Sequence, residues 1–170
     1  MALPRCAAFL AVSLDGFIAR PDGGLDWLEP FQEEHGYQAF FRSVDWVLIG
    51  RATWEVVVAF PEWPFAGKRV AVLTHRPLEA RHGEAALSGA PAEVLARLDA
   101  QGAQRVYADG GAVVSQFLAA GLLDELTVNL VPIVLGEGLR LFQGVLPERR
   151  LALASSQAYP SGLVQLRYRG

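Results

Sequence analysis

The sequence is poor in cysteine, in charge and in long apolar runs. Cys6 is the only cysteine among 170 residues, so no disulfide can form within the chain. Charged residues make up 19% of the chain and the formal net charge is −3, which argues against a nucleic-acid-binding protein, because such proteins carry basic surfaces. No stretch approaches the ~20 apolar residues needed to cross a bilayer. We therefore expect a soluble, cytoplasmic protein with no nucleic-acid or membrane partner.

Residues suited to metal binding or nucleophilic catalysis are also scarce. The three histidines, His35, His75 and His82, show no metal-ligand spacing, so we expect no metal. The dinucleotide fingerprint G-x-G-x-x-G, the phosphate-binding G-x-x-x-x-G-K-[ST] and the hydrolase motif G-x-S-x-G are absent. Cys6 lies within an apolar run, which favours a core position over a nucleophile.

Hydrophobic residues are plentiful, at 52%, and they occur in strand-like and helix-like segments that alternate. Apolar runs predict strands over residues 6–12, 45–50, 68–74, 104–108 and 124–134, and helical patterns predict helices over 31–44, 91–102 and 112–120, with a short one starting at Arg51. Two alternating runs around Tyr159 to Gly162 predict a β-hairpin. We expect one α/β domain over residues 1–170, with a mostly parallel sheet and an antiparallel C-terminal edge.

Three predicted strands end in residues suited to binding an anion. Ligands of open α/β sheets bind beyond the carboxyl ends of the strands, where helix N-termini present unpaired N–H groups. Glycines at such turns are also common for purely structural reasons, because they allow a positive φ. The residues are Gly50, Arg51 and Thr53 at the first strand end, Thr74, His75 and Arg76 at the second, and Gly110 and Gly111 at the third.

Five motifs occur in one order over most of the chain: AVSLDGFIA, VLIGRATWE, VLTHRP, YADGGAVVSQFLAAGLLDEL and LVPIVLGEGLRLF. Together they resemble the dihydrofolate reductase-like superfamily. Within it, they are most similar to the branch containing the reductase (C-terminal) domain of bifunctional riboflavin-biosynthesis enzymes and many stand-alone reductases. The resemblance implies a three-layer sandwich with helices on both faces of a mixed sheet. It also implies an NADPH-dependent oxidoreductase, similar to dihydrofolate reductase or to 5-amino-6-(5-phosphoribosylamino)uracil reductase.

The same resemblance implies where NADPH binds. Ala11 and Ile18 would flank the nicotinamide carboxamide, and the glycine pair at the third strand end would contact the pyrophosphate. The residues of the first strand end would bind the pyrophosphate and the 2′-phosphate side. Those of the second would hold the adenosine 2′-phosphate, with Arg76 as the side chain that distinguishes NADPH from NADH.

Reducing a C=N or C=O bond requires a proton as well as a hydride. The candidate donors are Asp15, which the resemblance places near the nicotinamide end, Asp26 and Glu34. Asp26 and Trp27 stand where folate reductases have proline and tryptophan, so we expect them to contact the substrate. Either Glu34 or Gln32 falls where folate reductases carry an acidic residue. The alternatives are a turn-forming Asp15, a capping Asp26 and a solvated Glu34.

Two functions follow from this pattern. The first is an NADPH-dependent reductase of a small pyrimidine- or pterin-like heterocycle, or of a carbonyl compound. The second is a non-catalytic module of the same fold that binds a nucleotide or pterin. A homodimer is expected by resemblance and because the apolar strands LTVNLVPIVLG and LVQLRYR leave a sheet edge that needs covering.

Overall fold

The computed structural model describes residues 2–170. In this part of the chain, one sheet has the strand order β5-β4-β3-β6-β1-β7-β10-β9, and a small sheet pairs β2 with β8. The strands are β1 (Arg5–Ser13), β2 (Phe17–Ala19), β3 (Trp46–Gly50), β4 (Arg69–Leu73), β5 (Ala85–Leu87), β6 (Arg105–Asp109), β7 (Glu125–Val131), β8 (Leu139–Arg140), β9 (Ala152–Ala158) and β10 (Val164–Arg169). The α-helices are α1 (Tyr37–Ser43), α2 (Arg51–Val57), α3 (Pro91–Asp99) and α4 (Gly111–Ala119), and a 3-10 turn covers Asp26–Leu28.

The middle of the sheet is parallel and its C-terminal edge is antiparallel. β1 pairs in parallel with both β6 and β7, while β10 runs antiparallel to β7 and β9. β1 is an almost continuous apolar run because helices cover both of its faces, as is usual for parallel strands. The predicted α/β class, the mostly parallel sheet and the antiparallel edge are confirmed.

Helices pack on both faces of the sheet. α3 and α4 bury their apolar residues against one face, with Leu95, Leu98 and Phe117 almost completely inaccessible to solvent. On the other face, Trp54 of α2 and the aromatic side of α1 join a second core cluster. The two clusters on opposite sides of the sheet make the three layers expected from the dihydrofolate reductase-like resemblance.

The first helix is shorter than its sequence pattern predicts. Helical spacing predicts a helix over residues 31–44, but α1 begins at Tyr37. Gly36 precedes it with a φ of 93°, a left-handed conformation that interrupts any helix arriving from the N-terminal side. The predicted aromatic face is correct, because Tyr37, Phe40 and Phe41 pack against the second core cluster.

The predicted C-terminal hairpin is present. Its turn is closed by hydrogen bonds from Tyr159 N to the Leu163 carbonyl, at 2.9 Å, and from Gly162 N to the Tyr159 carbonyl, also at 2.9 Å. β9 forms the outer edge of the sheet, and all seven of its residues are exposed. β9 pairs with β10 on one side, and its outer edge is left unpaired within the described chain.

Candidate active site

A cavity of about 530 Å³ opens where the parallel strands end. Ala11 of β1, Gly50 of β3 and Asp109 of β6 all line it, so it lies at the carboxyl edge of the sheet. This is where open α/β sheets bind their ligands, and the volume lies within the range of small-molecule sites. The cavity is mostly apolar, with Phe9, Leu25, Leu28, Phe60 and Phe65 in its wall.

At each position of the glycine pair after β6, the surrounding structure leaves no room for a side chain. Gly110 has a φ of 92°, and a Cβ there would collide with the Thr53 hydroxyl. A Cβ on Gly111 would collide with the carbonyl oxygen of Arg140, so only glycine lets α4 start against the 140–141 segment. Both glycines also line the cavity. Contact with a pyrophosphate therefore remains a prediction for this pair.

The start of α4 is suited to an anionic group. The first N–H groups of a helix lack intrahelical acceptors, and the helix dipole adds partial positive charge at this end. The carboxylate of Asp109 accepts a bond from the N–H of Gly110 at 2.9 Å, immediately before the helix. Thr53 lines the cavity beside these residues, so a hydroxyl and backbone donors converge on one region of the wall.

Among the described residues, Arg51 is the arginine that lines the cavity. Its Nε lies 3.0 Å from a carboxylate oxygen of Glu55, and its Nη1 donates to the carbonyl of Pro77 at 3.0 Å and contacts Thr74 Oγ1 at 3.4 Å. The guanidinium also lies 5.0 Å from the Trp54 ring centroid. These contacts connect the start of α2 to the loop that follows β4.

The loop after β4 lies at the margin of the site. Thr74, His75 and Arg76 do not line the cavity. Arg76 is an exposed side chain that reaches within 3.5 Å of Glu55, so it shares that carboxylate with Arg51. The structure thus brings together Arg51, Thr74 and Arg76, while a role for them in binding a 2′-phosphate stays a prediction.

A carboxyl group and two phenols form one polar cluster in the cavity wall. Asp109 ends β6, Tyr107 lies on the same face of that strand, and Tyr37 begins α1, its ring centroid 6.3 Å from that of Tyr107. Burial raises the pKa of Asp109 to about 6, although the Gly110 N–H and the Tyr107 hydroxyl favour its charged form. Burial also raises the pKa of Tyr37 to about 12 and that of Tyr107 well above its usual value, so both phenols stay protonated at neutral pH.

Sequence reasoning missed this cluster, although a signal for part of it was available. Strand alternation places Tyr107 and Asp109 on one face, and Asp109 directly precedes the glycine pair at a strand end. An acidic residue at the end of an otherwise apolar strand is a reasonable candidate for site chemistry. Tyr37 carries no comparable signal, because its aromatic neighbours in α1 make it indistinguishable from a core residue.

An amide network positions the segment that precedes α1. Asn129 of β7 is fully buried and donates to the Leu10 carbonyl at 3.1 Å. Gln165 Nε2 donates to Asn129 Oδ1 at 2.9 Å and to the His35 carbonyl at 2.6 Å. His35 Nδ1 lies 2.9 Å from the Glu33 carbonyl, and because a carbonyl can only accept, Nδ1 carries the proton.

Asp15 lies outside the cavity wall, in the turn after β1. Its carboxylate accepts bonds from Ser13 Oγ at 2.6 Å, Leu135 N at 3.1 Å and Gly136 N at 2.7 Å. These bonds, chiefly that from Ser13, lower the pKa of Asp15 to about 2. They connect the β1–β2 turn to the loop after β7. The catalytic assignment of Asp15 stays a prediction, and its contacts are those of a connecting residue.

The predicted substrate residues Asp26 and Trp27 do not line the cavity, although Leu25 and Leu28 beside them do. Asp26 is exposed and forms an ion pair with Arg20 at 2.6 Å, and the bond from that guanidinium lowers its pKa. Trp27 is buried, and its indole N–H has no hydrogen-bond partner. Their contact with a substrate stays a prediction.

Glu34 lines a smaller cavity of about 310 Å³ that adjoins the first. The two share Ala11, Leu28, His35 and Tyr37 in their walls. Glu34 Oε1 accepts the N–H of Gly36 at 2.8 Å, just before α1. Its predicted role in catalysis is not tested by this position in the wall of the smaller cavity.

Three further observations concern metal binding, membrane-spanning helices and the reactivity of Cys6. Across residues 2–170, no group of three or more His, Cys, Asp or Glu side chains is placed to hold a metal ion. Over the same described range, no helix is both long and apolar enough to cross a membrane. Cys6 is fully buried in β1, and burial together with the nearby charge of Asp124 raises the pKa of its thiol, which disfavours the nucleophilic thiolate.

Comparison with known proteins agrees with the fold and identifies the family. The uncharacterized protein YwjB of Bacillus subtilis is 37% identical, over 96% of this chain and 97% of its own. A solved structure from Shewanella sp. PV-4, of a protein named for riboflavin biosynthesis, is 32% identical with a TM-score of 0.88, covering 97% of this chain and 98% of its own.

At the level of the fold alone, the likeness extends further. Dihydrofolate reductase from Enterococcus faecalis, solved in complex with NADP(H), is 20% identical with a TM-score of 0.69, over 97% of this chain and 95% of its own. Residues 4–165 match the family model described as the RibD C-terminal domain. Because this match spans nearly the whole sequence, the chain belongs to the RibD C-terminal domain family, within the dihydrofolate reductase-like fold.

Proposed function

We propose that the protein is an NADPH-dependent reductase of a small heterocyclic or carbonyl substrate. The observation that carries the proposal is a partly buried acid, Asp109, in the wall of a cavity that also contains the start of α4. One wall thus offers donors for a phosphate, and beside them is a group able to supply a proton. The family and the NADP(H)-bound neighbour support the choice of cofactor.

The residues present fit a dinucleotide. Gly110 and Gly111 both line the cavity, and the Thr53 hydroxyl packs beside Gly110, where a Cβ would collide with it. Arg51 supplies a positive charge, and Ala11 and Ile18 give the other part of the cavity a small, apolar lining. NADPH, when bound, would supply the hydride. The chain's own residues would have to bind it, orient the substrate and provide the proton.

Asp109 is the residue best placed to provide that proton. A pKa of about 6 leaves roughly a tenth of its carboxyl groups protonated at pH 7, so donation is possible and reprotonation from solvent is easy. The proton would pass from the carboxyl oxygen to the substrate nitrogen or oxygen as the neighbouring carbon accepts the hydride. Tyr37 and Tyr107 remain neutral and can donate hydrogen bonds to the same substrate atom or to the carboxylate left behind.

The test is the variant Asp109→Asn, which keeps the size of the side chain and an oxygen for the Gly110 N–H. We expect NADPH affinity, measured by tryptophan fluorescence, to change less than threefold, while turnover falls about 100-fold or more, as for the loss of a general acid. Asp99→Asn, at the far end of α3, is the matched control and should retain turnover.

Unchanged turnover in Asp109→Asn would show that the proton comes from another group. If the wild-type protein binds NADPH but oxidises it with no heterocyclic or carbonyl substrate, the alternative of a non-catalytic binding module is supported instead. If the wild-type protein fails to bind NADPH at all, the proposed function is wrong.

A further inference from the structure

A buried carboxylate lies outside the cavity, directly before β5. Glu84 is only 6% exposed, and a carboxylate is costly to bury unless its oxygens are hydrogen-bonded. One oxygen, Oε1, accepts the indole N–H of Trp54 at 3.0 Å. The other, Oε2, accepts the backbone N–H groups of Arg81 at 2.8 Å and His82 at 2.9 Å. Glu84 thus binds the turn before β5 and an indole of α2 to the same carboxylate.

The same indole contacts the arginine in the cavity wall. Trp54 and Arg51 both belong to α2, and the Arg51 guanidinium lies 5.0 Å from the centroid of the Trp54 ring. The face of an indole attracts a guanidinium. Arg51 lines the cavity, whereas Glu84 and Trp54 do not. The indole therefore connects a carboxylate outside the cavity to a cation in its wall.

The bond at the indole nitrogen should strengthen this contact in two ways. It fixes the orientation of the Trp54 ring, because turning the ring would leave a buried N–H and a buried carboxylate oxygen without partners. It also makes the ring more electron-rich, since hydrogen-bonded groups polarise one another. Burial alone would raise the pKa of Glu84, but the bonds from the His82 N–H and the Trp54 indole lower it, so the carboxylate is charged at neutral pH.

We propose that Glu84 is a positioning residue that acts through the Trp54 indole. It holds the Arg51 guanidinium where that group can bind the phosphate that distinguishes NADPH from NADH. The inference rests on the proposed function and adds to it a residue outside the cavity wall. Because Glu84 does not line the cavity, its effect on the cofactor has to depend on Arg51.

A second connection from Glu84 to the cavity must be distinguished from the first. The His82 ring stacks on Trp63, with ring centroids 4.1 Å apart. Trp63 meets Phe65 edge to face at 5.4 Å, and Phe65 lines the cavity. This connection ends at an apolar side chain, so disturbing it would affect NADPH and NADH alike.

Two variants break the bond from opposite ends. Glu84→Gln replaces one acceptor oxygen by an NH2 group, which cannot accept from the indole or from the turn. Trp54→Phe removes the N–H but keeps an aromatic ring beside Arg51. We expect each variant to weaken NADPH about three- to tenfold and NADH less than twofold, measured by calorimetry well below Tm. Glu79→Gln, an exposed glutamate of the same loop outside the cavity wall, is the matched control and should change neither affinity.

The Arg51→Ala background shows whether the effect passes through the guanidinium. If Glu84 acts by positioning Arg51, Glu84→Gln should cause no further loss of NADPH affinity in this background. The same fold loss in both backgrounds would overturn the inference. So would equal losses for NADPH and NADH, or an unchanged NADPH affinity in Glu84→Gln.

A measurement without cofactor separates this inference from the function on which it rests. The indole N–H resonance of Trp54, identified by its absence from the spectrum of Trp54→Phe, should move upfield in Glu84→Gln, because a bond to a carboxylate deshields the proton. A wild-type protein that fails to bind NADPH would contradict the reductase proposal and this inference together. A wild-type protein that binds NADPH, with a Trp54 resonance that Glu84→Gln leaves in place, would retain the proposed function and lose the inference.

Discussion

Asp109 occupies a position at which a charge is costly, and its titration should be visible in both activity and stability. A pKa of about 6 predicts that the rate of reduction rises as the pH falls from 8 to 6 and levels off below that. Tyr107 on its own strand and Tyr37 on α1, together with His35, are the titratable groups on the neighbouring wall. Both tyrosines remain neutral over this range, so loss of the pH dependence in Asp109→Asn, with His35 intact, would assign the profile to the carboxyl group.

The stability effect of Asp109 has a definite sign. Its folded pKa is raised to about 6, above the ordinary value of an aspartate, so protonation favours the folded state, and stability is gained as the pH falls from about 6 towards 4. Asp109→Asn should therefore raise Tm at pH 8 and leave it close to the wild type near pH 4. Equal Tm differences at both values would show that the carboxyl group titrates normally.

We predict that both Arg51 and Arg76 contribute to binding the 2′-phosphate of NADPH, and that Arg51 contributes more. Arg51 lines the cavity and is 22% exposed, whereas Arg76 is 67% exposed, so an interaction of Arg76 is more strongly screened. We expect Arg51→Ala to weaken NADPH by about 10- to 150-fold and Arg76→Ala by about tenfold or less, with little change for NADH. Isothermal titration with both cofactors measures this, and the exposed Arg42→Ala is the control.

Two results would contradict this assignment. Equal losses for NADPH and NADH would mean that the arginines maintain the loop after β4 and do not contact the extra phosphate. No loss in either variant would place the 2′-phosphate elsewhere. Raising the salt concentration should reduce the effect of Arg76→Ala more than that of Arg51→Ala.

The cofactor side of the site was more predictable from the sequence than the substrate side. Gly50, Arg51 and Gly110 lie at or directly after the ends of strands. Parallel strands bring their carboxyl ends to one edge of the sheet, so the topology explains why these three residues line one cavity. Tyr37 and His35 reach the cavity only because the chain before α1 folds back over the sheet. Nothing local in the sequence specifies that path, which depends on hydrogen bonds from Gln165.

At the scale of elements, Asp15 connects two loops that are distant in sequence. Its carboxylate accepts the N–H groups of Leu135 and Gly136 as well as the Ser13 hydroxyl. Asp15→Asn removes one of these acceptor oxygens, so we expect Tm to fall by a few degrees. Because the folded pKa of about 2 lies below the normal value, the contribution is present above pH 4 and is lost as the pH falls towards 2.

The same variant tests the catalytic prediction for Asp15. If the carboxylate only connects the loops, turnover measured well below Tm stays close to the wild type. If it acts at the reacting end, turnover falls more than NADPH affinity does. Asp22→Asn is the control, because the Asp22 carboxylate bonds to Gly24 within its own exposed turn and should affect neither measurement.

Strands with long apolar runs could be predicted from the sequence, whereas the very short strands β5 and β8 could not. β1 and β3 are covered on both faces, so burial alone specifies their residues. β5 has three residues and β8 has two, too few for a periodic pattern to be detected. β8 exists because it pairs with β2, about 120 residues earlier along the chain, and such distant pairing leaves no local signature.

For the whole molecule, the exposed edge at β9 supports the expected homodimer. All seven residues of this strand are exposed, and Leu153 is an exposed large apolar side chain on it. An unpaired edge of this kind can pair with another chain, and a second copy of this chain would cover it. Light scattering at micromolar concentration should give twice the 18.4 kDa of one chain. Leu153→Lys should shift the mass towards the monomer.

Val145→Lys provides the matched control for the dimer, because Val145 is a fully exposed aliphatic residue outside the strands of the sheet. It should leave the mass unchanged. A wild-type mass of 18.4 kDa would contradict the homodimer, and equal dissociation by both variants would place the interface elsewhere than β9.

The position of β1 has a consequence for synthesis on the ribosome. β1 is made well before its neighbours β6 and β7, which begin only at Arg105 and Glu125. Until β6 emerges, both edges of this apolar strand are open in the nascent chain, and its other edge stays open until β7 emerges, so the strand depends on other contacts or a chaperone for protection. Long-range parallel pairing of this kind is also slow to form. Chains that stop before Val131 should therefore aggregate, because β1 then has no complete partner on its β7 side.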